Sequence, residues 1–123
     1  MEQLSPQMRQ QLAQMQAVQQ QAQSLSMQRA QMESQLKEVE ATLELLDEMA
    51  EDAELYKSSG AILVRSEKGK VSTELNEKKE TLGLHIKTVK KQEERFAGKL
   101  KEMQEEVKKA ISAAGVPDLS AAG

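Results

Sequence analysis

Apolar residues recur along the first half of the chain at intervals that alternate four and three without a break. Positions 4, 8, 11, 15, 18, 22, 25, 29, 32, 36, 39, 43, 46, 50 and 53 follow this spacing, and only Gln11 and Arg29 among them are polar. A repeat of about 3.5 residues held for this long is a coiled-coil seam. The spacing resumes at positions 75, 79, 82, 86, 89, 93, 96, 100, 103, 107, 110 and 114, where Lys79 and Glu93 are the polar exceptions. The pattern predicts a first helix over 1–53 and a second over 72–115. Ser5 is the expected N-cap of the first, with Pro6 in the opening turn, where no internal N–H donor is needed. Gly115 and Pro117 form a stop signal for the second, and 116–123 is expected to be a disordered tail.

Between the two seams the helical period fails. Residues 54–71 hold the β-branched and apolar run Ala61-Ile62-Leu63-Val64, preceded by the turn signal Ser58-Ser59-Gly60. This predicts a β-hairpin with strands near Leu55–Ser58 and Ala61–Ser66; the alternative is a mobile loop. Ile62, Leu63 and Val64 are consecutive, so their side chains fall on both faces of the strand. An isolated two-stranded hairpin is marginal in water. Hairpins from several chains are therefore expected to pair and pack together.

Two helical arms joined by a hairpin should fold back as an antiparallel pair. At about 50 residues an arm would reach roughly 75 Å, too long for a globule of this size. The flanks of the arms differ in charge. From Glu33 to Glu54 the outer positions of the first arm are mainly acidic, whereas Lys87, Lys90, Lys91, Lys99 and Lys101 make the second arm basic. Arg29 and Glu93, of opposite sign in the two seams, are expected to fix the register, a recognised use of polar seam residues. Residues 1–35 are instead rich in Gln and Met and poor in charge. Methionine is flexible and polarisable, and it suits surfaces that accept many shapes. At the far end two helices cannot cover each other fully, so apolar groups there are expected to stay partly exposed, as interaction sites are.

Composition supports this picture. Of 123 residues 38% are hydrophobic and 30% charged, but only 2% are aromatic, which disfavours a globular core. The net charge of -3 argues against nucleic-acid binding. There is no cysteine, and the single histidine, His85, lacks a ligand partner at metal-binding spacing. No phosphate-binding glycine loop is present, since Gly60 and Gly69 read as isolated turn glycines, and there is no nucleophile–base pair. An enzyme, a metal site and a bound cofactor are not expected. The chain carries no apolar run long enough to span a membrane, and its first ~30 residues lack the basic face of a membrane-surface helix.

The segment Ala53-Glu-Leu-Tyr-Lys-Ser-Ser-Gly-Ala-Ile-Leu-Val64, the segment Leu75-Asn-Glu-Lys-Lys-Glu-Thr-Leu82, Gln92-Glu-Glu-Arg95 and the Gln-rich first arm resemble the β subunits of archaeal prefoldin over nearly the whole chain. The resemblance implies a mainly α fold: a long antiparallel two-helix coiled coil whose β-hairpin assembles into an intersubunit β-barrel. It implies a cytoplasmic heterohexamer of two α and four β subunits, working without ATP or cofactor. Such a particle holds non-native proteins at its arm tips and passes them to a chaperonin. Carried over, Leu55, Tyr56, Gly60, Ile62, Leu63 and Val64 would serve oligomerisation. Leu4, Met8, Leu12, Met15, Val107 and Ile111 would contact clients. The competing reading is a structural coiled-coil adaptor that tethers one defined partner.

Overall fold

A computed structural model describes residues 5–113. Four elements follow in order: helix α1 (Pro6–Asp47), strand β1 (Leu55–Ser59), strand β2 (Ile62–Ser66) and helix α2 (Lys68–Ala113). Leu4 and the expected tail at 116–123, with its Gly115–Pro117 stop, lie outside the described residues.

Helix α1 starts as its sequence dictates. The Ser5 hydroxyl oxygen accepts a hydrogen bond from the Met8 N–H at 3.1 Å, and its carbonyl accepts one from the Arg9 N–H at 3.0 Å. One of the orphan donors of the first turn is thereby satisfied. The helix ends at Asp47, short of the expected 53. Two causes act together. Ala50 and Ala53 keep the spacing but offer little side chain to bury. Asp47, Glu48, Glu51 and Asp52 place negative charge at a helix C-terminus, where the macrodipole is already negative. The chain leaves through tight turns, with Glu48 and Met49 N–H groups bonded to the carbonyls of Leu45 and Leu46.

The packing divides the chain into two units, one spanning Arg29–Thr88 and the other formed by residues up to Gln28 and from Val89 onward. In the first unit β1 and β2 pair antiparallel, with Leu55 opposite Ser66 and Ser59 opposite Ile62. Gly60 and Ala61 alone make the bend. Gly60 has a φ of 60°, a left-handed conformation that a side chain would strain. Lys68 fastens the other side of this junction. Its Nζ donates to the Met49 carbonyl oxygen at 2.8 Å and lies 3.6 Å from the Glu51 carboxylate. A cation thus meets the carbonyl-rich, acidic exit of α1.

Helix α2 begins at Lys68, four residues before the expected 72. The Glu67 carbonyl accepts the first helical bond, from the Val71 N–H at 3.0 Å, and Glu67 puts an acid where the dipole is positive. Gly69, a turn signal in sequence, lies in the first helical turn. Burial follows the seams. In the first unit Val39, Leu46, Leu82 and Ile86 are buried; in the second, Met8, Val18, Val89 and Val107 are. Every described seam position within α1 and α2 is buried or half-buried, apart from exposed Lys79.

Candidate interaction surfaces

Antiparallel pairing sorts the hairpin side chains by face. Leu55, Lys57, Ser59, Ile62, Val64 and Ser66 share one; Tyr56, Ser58, Leu63 and Arg65 share the other. Both carry exposed apolar groups: Ile62 (64% exposed) and Val64 (46%) on the first, Tyr56 (57%) and Leu63 (71%) on the second. Only Leu55 and Ser66, at the helix end, are half-buried. Each strand has one neighbour, so both outer edges retain unpaired backbone donors and acceptors.

Charged groups frame this hairpin without covering it. Lys57 Nζ donates to Glu74 Oε2 at 2.8 Å, tying β1 to the second turn of α2. That hydrogen bond, and then the lysine's charge, hold the Glu74 carboxyl below the usual glutamate range. On the other face Glu54 accepts a bond from the Tyr56 hydroxyl at 3.5 Å and lies 3.9 Å from Arg65. The two faces therefore have apolar centres and a polar margin toward the helices, the anatomy of a protein interface.

The second unit holds the other set of predicted residues. Leu12, Met15 and Ile111 are half-buried, as expected for groups that two helices cannot cover. Met8 and Val107 are buried, at 6% and 7% exposure, contrary to the expectation of partial exposure. Both lie on the seam itself, as half-buried Met15 does, so seam position alone does not set the degree of coverage near the end of the pair. Leu12 and Ile111 each sit one place beyond the seam, on its flank.

A shallow cleft in this unit is lined by Gln21, Ser24, Leu25, Gln92 and Phe96. It brings the seam residues Leu25 and Phe96 to one place. Arg29, assigned to the register, pairs with Glu33 one turn on, at 3.2 Å. Neither Arg29 nor Glu93 is without a further polar partner.

Two exposed leucines escaped the sequence reading: Leu45 (56%) and Leu84 (60%), both in the first unit. Their only signal was a leucine on the outer face of a helix. No helix is long and apolar enough to cross a membrane, and no cluster of metal-binding side chains occurs among the described residues.

Comparison with known proteins gives a consistent answer. A family model described as prefoldin subunit matches residues 9–114. The chain is 41% identical over 108 residues to a prefoldin subunit beta of Methanothrix thermoacetophila, covering 88% of this chain and 90% of that one. It is 42% identical over 112 residues to one from Methanococcoides burtonii, covering 91% and 96%. The crystal structure of the prefoldin beta subunit from Thermococcus strain KS-1 superposes with a TM-score of 0.79 at 32% identity, covering 92% of this chain and 96% of that one. The two long helices, the hairpin between them and these likenesses agree: the chain belongs to the prefoldin family of chaperone subunits, on its archaeal beta side.

Proposed function

We propose that this chain is one of four β subunits that join two α subunits in a cytoplasmic heterohexamer, which captures non-native proteins without ATP and delivers them to a chaperonin. The observation that carries the assembly is the hairpin: apolar side chains exposed on both faces, and two open edges. Edges invite a further strand, and apolar faces invite a second layer. Closing several hairpins into a barrel satisfies both needs at once. Leu55, Tyr56, Gly60, Ile62, Leu63 and Val64 are the residues assigned to it. Arg29 and Glu93 are assigned to the register of the helices, in keeping with the meeting of Leu25 and Phe96 one turn away.

Capture is assigned to the distal ends of the helices. Leu12, Met15 and Ile111 offer the accessible apolar surface, with Met8 and Val107 as its floor; Leu4, outside the described residues, is assigned the same role. Each contact is weak, and several arms acting on one client raise the avidity. The test is aggregation of an unrelated denatured protein, followed by light scattering with the assembled particle and no nucleotide. Protection near stoichiometric ratio is expected. An adaptor for one defined partner would give none, and that result would overturn the reading.

A further inference from the structure

The two sides of the distal helix pair differ in charge. In heptad terms Gln21 and Gln92 occupy equivalent flanking positions, g, and both line the cleft with Leu25 and Phe96. The g flanks of the two helices therefore share one side of the seam. The e flanks, which lie beside the other seam position, share the opposite side. On this e side stand Leu12, Gln19 and Ser26 from α1 and Ile111, Gln104 and Ala97 from α2. None is charged, and Leu12 and Ile111 are its half-buried apolar end. The g side carries Lys99 and Glu106.

The rim beyond the e side is basic near the tip. The next positions outward, b, hold exposed Arg9 on α1 and, on α2, exposed Lys101 toward the tip and Glu94 away from it, with Glu105 beyond them beside Lys108. Lys108 stands there too and is not without a partner. Arg9 is the only charged residue between positions 4 and 28, so α1 brings no carboxylate to this region. An uncharged strip with an apolar end and a border in which cations outnumber acids toward the tip suits one kind of guest. We infer that non-native segments lie on the e flank of the distal pair, and that the favoured ones carry apolar residues bordered by aspartate or glutamate.

This rests on the capture function proposed above. Glutamine amides on the strip can hydrogen-bond an extended backbone whatever its sequence. Apolar side chains find Leu12 and Ile111, while Arg9 and Lys101 select by charge. Electrostatic complementarity of this exposed kind supplies selectivity and on-rate, and it is screened by salt.

The test uses the assembled particle and two fluorescent peptides with one apolar centre, bordered by aspartates or by lysines. At low salt the aspartate peptide should bind about five-fold more tightly, and the gap should close as salt is raised. Arg9→Glu with Lys101→Glu should reverse the preference. Gln104→Glu on the e flank should weaken the aspartate peptide, while Gln14→Glu on the g flank should leave it unchanged. Circular dichroism of each variant separates lost binding from lost helix. Equal binding of the two peptides, or equal effects on both flanks, would overturn the inference alone. An oligonucleotide that binds as tightly as the aspartate peptide would overturn a peptide as the favoured guest. A particle that binds neither peptide and protects no denatured protein would overturn the capture function beneath it.

Discussion

Lys57 on β1 and Glu74 on α2 are joined by a 2.8 Å hydrogen bond across seventeen residues of sequence. The contact fixes one face of the hairpin against the start of the second helix. Its strength is modest, because both groups are solvated. Its consequence is a readable titration. Glu74 has a lowered pKa, so the bond's contribution is present above the carboxyl's unfolded value and is lost as pH falls through the lower folded value. Carboxyl NMR should show Glu74 titrating below the usual glutamate range. In Lys57→Met it should return to that range. An unchanged midpoint would remove Lys57 as the cause.

Lys68 has a more buried task. Its side chain is only 15% exposed, and it reaches both the Met49 carbonyl and the Glu51 carboxylate. A charged hydrogen bond of this kind is worth about 1.5–3 kcal/mol. Lys68→Met should therefore lower stability by ~1–2 kcal/mol in urea denaturation, since the exposed Glu51 regains water. It should also disorder the junction first, seen as faster amide exchange at Met49–Ala53.

Two glycines predict opposite outcomes. Gly98 lies inside α2 with open space where a Cβ would be, so Gly98→Ala should stabilise by about 0.8–1 kcal/mol. Gly60 also has open space but a φ of +60°. Gly60→Ala should destabilise the bend by about 1–2 kcal/mol. Thermal melts of the two variants check both signs.

The hairpin faces predict assembly defects that do not depend on which face is altered. Ile62→Asp and Leu63→Asp place a charge on opposite faces of β2. Each should reduce the native mass measured by light scattering while leaving helical circular dichroism intact. If only one of them did so, a single contact layer rather than a closed barrel would join the subunits.

Much of this architecture was legible in residue spacing. The two seams located both helices, because heptad periodicity reports a buried stripe directly. The hairpin was marked by Gly60 and by three consecutive apolar residues. The helix ends were less legible. Ala50 and Ala53 fit the period but contribute little burial, so spacing overruled the unfavourable run of acids from Asp47. Gly69 reads as a turn residue, yet Glu67 and the helix dipole start α2 before it. The burial of Met8 and Val107 was hidden for a different reason: the coverage of a seam position depends on the opposing helix. The flank positions of Leu12 and Ile111 separate them from these two.

The proposed function separates tasks between the strands and the distal helix ends. It is tested most directly by removing residues 1–15, then measuring native mass and protection of a denatured protein on the same sample. An intact particle that no longer suppresses aggregation is the predicted result. A truncated particle of unchanged mass that protects as well as the parent would contradict it.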